Sequence, residues 1–123
     1  MDIRKIDYQT AKNFIKDDLL IVKPEYDYCG YFINNELVSA CGLEFKDTYT
    51  QIYCNYTAPE YRKKGYITQF IFEILLCLAE SGAGLVKGNC LETSINIYKK
   101  LGFSVVGTEI YRGQTAYKVE KVI

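Results

Sequence analysis

The sequence contains no histidine. Catalysis through a Ser-His-Asp or Cys-His arrangement is therefore excluded, and so is any metal site with histidine ligands. Net charge is also missing, because fifteen basic residues balance fifteen acidic ones. A chain with this balance is not expected to be a general nucleic-acid binder or to bind a membrane surface. Local clusters of residues, rather than overall composition, must therefore indicate the function.

Long apolar runs and paired cysteines are absent as well. Residues 67–79 are the most apolar stretch, but Thr68, Gln69 and Glu73 interrupt it, and a membrane span needs about 18 apolar residues in a row. The first residues lack the apolar core of a signal peptide. The five cysteines are too far apart for a metal knuckle or a C-x-x-C pair, so buried free thiols are expected. We therefore expect a cytoplasmic protein with no bound metal.

The length and the residue patterns predict one α/β domain, of the α+β type, over residues 1–123. Alternating apolar residues and helical periodicities predict the element order β-α-β-β-β-α-β-α-β-β, with a mixed central sheet of about seven strands. Tyr8 to Leu20 is expected to form the first helix. A three-stranded meander followed by strands alternating with helices implies a partly parallel region attached to an antiparallel one.

A predicted strand and a predicted helix flank the segment that is most informative about function. Tyr49 to Thr57 is expected to be the fourth strand, followed by a helix from about Tyr66 to Ser81 whose apolar residues nearly encircle it. Most sides of that helix should therefore be covered. On the strand, period-two alternation predicts two opposite sets: Gln51, Tyr53 and Asn55 on one face, and Ile52, Cys54 and Tyr56 on the other.

A basic loop, Arg62-Lys63-Lys64-Gly65, stands between that strand and that helix. The free N–H groups of a helix's first turn, its positive dipole end and nearby lysines all favour an anion. Gly65 would let a ligand approach the backbone closely. The loop therefore predicts a site for a phosphorylated ligand, although a solvated helix start with no ligand gives the same pattern.

A second segment sharpens this hypothesis. Ser94 and Tyr98 are four residues apart and share one face of a predicted helix, and Leu101-Gly102-Phe103 ends that helix and begins a strand. Together with Arg62-Lys63-Lys64-Gly65-Tyr66-Ile67, this segment resembles the GNAT (GCN5-related N-acetyltransferase) superfamily. That superfamily carries an Arg/Gln-x-x-Gly-x-Gly/Ala motif after its fourth strand, and later an apolar-Tyr pair followed by Leu-Gly-Phe.

The resemblance implies that acetyl-CoA is the co-substrate and assigns two roles. Tyr98 would protonate the leaving coenzyme A thiolate. The other implied residues would bind acetyl-CoA, its pyrophosphate at the motif and its pantetheine arm along the strand end: Tyr56, Thr57, Ala58, Arg62, Lys63, Lys64, Gly65, Tyr66, Ile67, Asn89 and Ser94.

The chain departs from the superfamily pattern at two positions. Ile67 stands where the superfamily usually has Gly or Ala. Leu91 stands where many members have Asn, and Asn89, two residues earlier, is the candidate to replace it. The predicted fourth strand also lacks the carboxylate that some members use as a base. Glu44 on the neighbouring strand, or a water ordered by Tyr53 or Asn55, are the alternatives.

Three functions follow as hypotheses. The first is acetyl transfer from acetyl-CoA to a primary amine of a small molecule or peptide. The second is a non-catalytic module that binds acyl-CoA or a partner, suggested by Ile67, Leu91 and the missing base. The third, a nucleotide-binding protein, lacks the Gly-Lys-Ser/Thr of a Walker motif. The acceptor is expected near residues 15–31 and 109–116, and exposed terminal strands would allow a homodimer.

Overall fold

The computed structural model describes residues 2–123, and over them the predicted element order is confirmed. The elements are β1 (Asp2–Ile6), α1 (Tyr8–Phe14), β2 (Asp27–Ile33), β3 (Glu36–Phe45), β4 (Thr50–Thr57), α2 (Tyr66–Glu80), β5 (Leu85–Leu91), α3 (Ile95–Lys100), β6 (Ser104–Tyr111) and β7 (Gln114–Val122). A short 3-10 turn at Pro59–Tyr61 lies between β4 and α2. No helix among these residues is long and apolar enough to cross a membrane.

The strands form one mixed sheet in the order β1-β2-β3-β4-β5-β7-β6. Every neighbouring pair is antiparallel except β4 and β5, which run parallel. The parallel pairing extends only from Thr50, opposite Val86, to Ile52, opposite Gly88. Beyond Ile52 the two strands no longer pair, so the sheet opens into a gap near its centre.

Helices cover both faces of the sheet. On one face, α2 and α3 pack on a core that includes Phe70, Ile71 and Val86. On the other, α1 packs on a smaller cluster that includes Ala11 and Tyr28. The expectation that α2 would be covered on most sides is only partly met, because Phe72 and Leu76 are 46% and 49% exposed.

The first helix is shorter than the sequence predicts. Periodicity suggested a helix to Leu20, but α1 ends at Phe14 and Ile15 is already extended. The Asp17 carboxylate accepts a hydrogen bond from the Leu19 N–H at 2.9 Å, and the Asp17 carbonyl accepts one from the Leu20 N–H at 3.0 Å. Such a local turn competes with helical hydrogen bonding. The chain from residue 15 to 26 is therefore a loop, free to lie beside the gap.

The predicted alternation along β4 is wrong beyond Tyr53. Cys54 has a φ of 57°, and the register with β3 slips at this point, which is the signature of a β-bulge. After the bulge, Asn55 reaches Tyr98 on the α3 side, where Ile52 also packs. Cys54 and Tyr56 pack on the α1 side. One extra residue thus turns Asn55 to the face opposite the predicted one.

Candidate active site

A cavity of about 430 Å³ occupies the gap between β4 and β5. Its walls come from the ends of both strands, from α3, from β6 and from the loop after α1. The lining includes Asp17, Leu19, Ile21, Lys23, Tyr26, Tyr53, Cys54, Asn55, Asn89, Cys90, Ser94, Tyr98, Glu109 and Tyr111. Of the residues assigned from the sequence, the structure therefore brings Asn89, Ser94 and Tyr98 to one cavity.

Tyr98 forms part of the cavity wall and is otherwise enclosed. Its side chain is only 2% exposed, with the Phe103 ring set edge-on at 5.1 Å between ring centroids. Gly88 lies beside the ring, since a Cβ built there would lie 3.4 Å from Tyr98 Cε1, about ordinary contact distance. Burial raises the pKa of the Tyr98 phenol well above its usual value, so the phenol is neutral at physiological pH. Tyr98 can thus donate its hydroxyl proton in a hydrogen bond.

Asn55 is the partner of Tyr98 that sequence reasoning missed. Its Nδ2 donates a hydrogen bond to the Tyr98 hydroxyl oxygen. The sequence indicated Asn55 only as a residue that could order a water, and the strand pattern placed it on the other face. A bulge is not visible in residue alternation, so no signal in the chain could have placed this pair together.

The loop between β4 and α2 holds Arg62 against the strand end. Arg62 Nε donates to the Thr57 carbonyl oxygen at 2.9 Å, and the guanidinium carbon lies 5.2 Å from the centre of the Tyr56 ring. The guanidinium is thus partly committed to contacts within the chain. Lys63 and Gly65 both have left-handed backbone conformations, with φ of 62° and 80°. Gly65 is also the N-cap residue of the 15-residue helix α2.

The backbone N–H groups of residues 63–68 have no hydrogen-bond acceptor within residues 2–123. A Cβ added at Gly65 would meet nothing within 4 Å, so the space beside these groups is open. Unpaired N–H groups at a helix N-terminus, with two exposed lysines beside them, suit a pyrophosphate. Ile67 does not obstruct this space from within, because it is half-buried and packs against the α2–α3 core. The loop therefore has the features of an anion site.

Several residues assigned from the sequence lie outside the cavity, namely Tyr56, Thr57, Ala58 and the loop from Arg62 to Ile67. In the sequence, these residues follow the part of β4 that lines the cavity. The Tyr56 and Ala58 side chains are buried, and the Thr57 hydroxyl is 2.8 Å from that of Ser39. Part of the backbone is engaged as well, because the Thr57 carbonyl accepts Arg62 Nε and the Ala58 N–H donates to the Val38 carbonyl at 3.0 Å. Asn89 is exposed, and the Ser94 hydroxyl makes no capping bond to α3.

The carboxylates of the cavity are not the one singled out from the sequence. Glu44 does not line it, and its carboxylate accepts the Tyr53 hydroxyl at 3.1 Å and pairs with Lys46 at 3.3 Å. Among residues 2–123 the carboxylates that line the cavity are Asp17 and Glu109. Glu109 lies 3.8 Å from the Lys118 ammonium, and both are about half exposed. Lys23 lines the cavity as well, so its ionised side chains carry both signs of charge.

A segment that we call the strap, residues 18–21, closes one side of the cavity. Tyr111 Oη donates to the Leu19 carbonyl at 2.8 Å, and Arg112 Nη1 donates to the Asp18 carbonyl at 2.5 Å. From the opposite wall, Cys54 Sγ donates to the Ile21 carbonyl at 2.8 Å. Burial raises the pKa of the Cys54 thiol to about 11, so it stays protonated and can donate. The strap is thus held from both β4 and β6.

The fold and this site define the class of the protein. The model of the Acetyltransferase (GNAT) family matches residues 2–103, and the chain belongs to that family. It is an acetyltransferase, and the acetyltransferases of this family use acetyl-CoA as their co-substrate. No curated protein sequence matches the chain.

Solved structures share the fold at low sequence identity. The IAA acetyltransferase from Bacillus cereus is 11% identical with a TM-score of 0.79, and the match covers 99% of both chains. A GNAT family acetyltransferase from Elizabethkingia anophelis with acetyl-CoA bound is 13% identical, with a TM-score of 0.78 over 99% of this chain and 97% of that one. The ribosomal-protein-alanine N-acetyltransferase from Brucella melitensis is 13% identical, with a TM-score of 0.76 over 100% of each chain.

Proposed function

We propose that this protein transfers the acetyl group of acetyl-CoA to a primary amine of a small molecule or a peptide. The observation that carries the proposal is the buried, neutral Tyr98 in the wall of the cavity between β4 and β5. A hydroxyl donor fixed there can meet a thioester sulfur that enters the gap. The cavity beside it leaves room for an acceptor.

The proposed binding mode uses the two parts of the site in sequence. The unpaired N–H groups of residues 63–68 and the side chains of Lys63 and Lys64 take the pyrophosphate. The pantetheine arm then follows the open edge of β4 from Ala58 toward Asn55, where β5 no longer pairs with it. The thioester arrives beside Tyr98. Asn89 and Ser94 also line the same cavity.

The chemistry at that point is direct transfer. The acceptor nitrogen attacks the thioester carbonyl carbon, the carbon–sulfur bond breaks, and the sulfur takes the hydroxyl proton of Tyr98 or a strong hydrogen bond from it. A phenol is a weaker acid than a thiol by about 1.5 pKa units in water, and burial raises the pKa of Tyr98 further. Hydrogen-bond donation to the developing thiolate is therefore the main contribution of Tyr98, with fixed geometry supplying much of the rest.

An amine acceptor would meet two carboxylates and two aromatic rings in the cavity, beside the ammonium group of Lys23. Asp17 and Glu109 carry negative charge, and the Tyr26 and Tyr53 rings stack with their centroids 4.4 Å apart on one wall. Carboxylates and aromatic faces both attract an ammonium group. The amine must lose a proton before it attacks, and a water ordered at the cavity carboxylates would take it. One structural relative is named for a ribosomal-protein alanine, so a peptide N-terminus belongs among the acceptors to be tested.

The turnover experiment measures coenzyme A release from acetyl-CoA in the presence of a panel of diamines, aminoglycoside-like amines and peptides with free N-termini. We expect at least one amine to raise thiol release well above the amine-free rate, with the acetylated amine identified by mass spectrometry. Binding of acetyl-CoA with no amine-dependent release would instead favour a non-catalytic module.

Two further expectations accompany this proposal. The cysteines at positions 29, 41, 54, 77 and 90 are free thiols, which supports a reducing compartment, and we infer a cytoplasmic location.

The edge strand β6 exposes Val106 and Ile110, which are 56% and 75% accessible. An apolar strand edge is a surface on which a second copy could pair, so a homodimer stays a prediction.

Removing the hydroxyl that holds the strap is expected to weaken acceptor binding selectively. In Tyr111→Phe the hydrogen bond to the Leu19 carbonyl is lost, so the strap closes the cavity less often. We expect the KM for the amine to rise by about 3- to 10-fold, the effect of one ordinary hydrogen bond, with kcat within about twofold. Tyr117→Phe is the control, because Tyr117 lies on the same hairpin outside the cavity. Equal KM values for the two variants would contradict a role for the strap.

A further inference from the structure

We propose that Asn55 is a positioning residue that directs the Tyr98 hydroxyl proton toward the sulfur of the bound thioester. This inference rests on the proposed function, and it deepens it by naming the residue through which Tyr98 acts. It is carried by three observations: the β-bulge at Cys54, the hydrogen bond between Asn55 and Tyr98, and a buried Asn55 oxygen with no partner within residues 2–123.

The β-bulge at Cys54 lies where it brings the side chains of Asn55 and Tyr98 together. A regular β4 would send Asn55 to the α1 face, away from α3. Cys54 instead adopts a left-handed φ of 57°, which is uncommon for a residue other than glycine. The consequence is that Asn55 reaches an otherwise enclosed phenol at the rim of the cavity. Irregularities of this kind re-aim side chains beside active sites.

The hydrogen bond has a defined direction. Asn55 Nδ2 is the donor and Tyr98 Oη is the acceptor. The Tyr98 proton is then not engaged by Asn55 and can point into the gap. With the amide turned over, Asn55 Oδ1 would accept that proton and remove it from the reaction. The chemistry of leaving-group protonation therefore requires the orientation that the structure has.

The remaining Asn55 oxygen is also informative. Oδ1 is buried and has no hydrogen-bond partner among residues 2–123. In a buried asparagine that only stabilises the fold, the amide nitrogen and the amide oxygen both normally have hydrogen-bond partners. Asn55 is paired only where it touches Tyr98, so its placement is explained by the phenol rather than by packing.

The proposed role acts on one balanced step. As the carbon–sulfur bond breaks, the electron pair goes to sulfur and the Tyr98 proton moves toward it, leaving partial negative charge on Oη. The proton lost by the acceptor amine later restores the phenol through solvent. A hydrogen bond to an oxygen that gains negative charge becomes stronger. Asn55 would thus stabilise the transition state more than the ground state, which lowers the barrier.

The kinetic test uses Asn55→Leu, which keeps the approximate shape but cannot donate, and Asn96→Leu, an exposed asparagine on α3, as its control. We expect kcat to fall about 10-fold in Asn55→Leu, the effect of one hydrogen bond to a charged group, with an unchanged KM for acetyl-CoA. In a Tyr98→Phe background the same change should cost less than about twofold, because Asn55 acts through the phenol. A full 10-fold loss in that background would overturn the proposal.

The structural test does not depend on turnover. In protein labelled with ¹³C at the tyrosine ζ carbon, the Tyr98 signal is the one missing from Tyr98→Phe. We expect it to shift in Asn55→Leu and to stay in place in Asn96→Leu. If the Tyr98 signal does not move in Asn55→Leu, the pairing is wrong even in an active enzyme. If the wild-type protein shows no turnover on any amine, both the proposed function and this role of Asn55 are overturned. Should Asn55→Leu fail to fold, Asn55→Ala, checked by its melting temperature, replaces it in both tests.

Discussion

The variant Tyr98→Phe is expected to lower kcat about 100-fold, within the range for loss of a general acid or its hydrogen bond. The ring would still fill its place beside Phe103 and Gly88. Only the hydroxyl disappears, so the developing thiolate loses its donor. Acetyl-CoA affinity should change by less than about twofold, because the donor matters mainly after the carbon–sulfur bond begins to break. Steady-state kinetics and calorimetry measure the two quantities separately.

The matched control for this variant is Tyr117→Phe, which also removes a phenol hydroxyl that has a hydrogen-bond partner, Glu92. That pair lies outside the cavity, so kcat should stay close to the wild-type value. Turnover in Tyr98→Phe that equals the control would remove Tyr98 from the mechanism. A large loss of acetyl-CoA binding in Tyr98→Phe would also contradict the account, since it would assign Tyr98 to binding rather than to the chemical step.

The variant Gly65→Asp is expected to weaken acetyl-CoA binding about 100-fold. The carboxylate would stand among the unpaired N–H groups of residues 63–68, where it repels the pyrophosphate and competes for the same donors. Asp tolerates a left-handed backbone better than branched residues do, and a negative charge suits a helix N-terminus. The free energy of unfolding should therefore change by less than about 1 kcal/mol. Calorimetric titration and thermal unfolding separate the two effects.

Gly82→Asp offers the matched control at the other end of α2. Gly82 also has a left-handed φ, of 90°, and nothing lies within 4 Å of a Cβ added there. A carboxylate at the negative end of the helix is unfavourable, so this variant should lose more stability than Gly65→Asp. Its affinity for acetyl-CoA should nevertheless match that of the wild type. Equal affinities in the two variants would show that the loop does not hold the phosphates.

Much of the fold followed from the sequence because its signals are local. The apolar periodicity of α2 indicates the helix itself, and the glycines Gly65 before α2 and Gly102 after α3 mark helix ends. Tertiary contacts do not override these local signals. The family motif depends on the same local features. Its basic loop needs only a strand end, a glycine and a helix start, and all three lie within one short segment.

The details of the site did not follow, because they depend on contacts distant in sequence or on backbone irregularities. The length of α1 was overestimated since a turn at Asp17 competes with the helix. The strap is fixed by Tyr111 and Arg112, more than 90 residues away along the chain. The bulge at Cys54 is a single backbone conformation, yet it decides which face Asn55 and Tyr56 occupy. Alternation in the sequence contains no information on such a shift.

Calorimetric titration of the wild-type protein with acetyl-CoA tests the central claim most directly, namely that the loop of residues 63–68 and the gap between β4 and β5 together hold the acetyl donor. We expect saturable binding of one acetyl-CoA per chain, weaker binding of ATP, which lacks the pantetheine arm, and loss of acetyl-CoA binding in Gly65→Asp. Absence of binding by both acetyl-CoA and coenzyme A, or acetyl-CoA affinity unchanged in Gly65→Asp, would contradict the account.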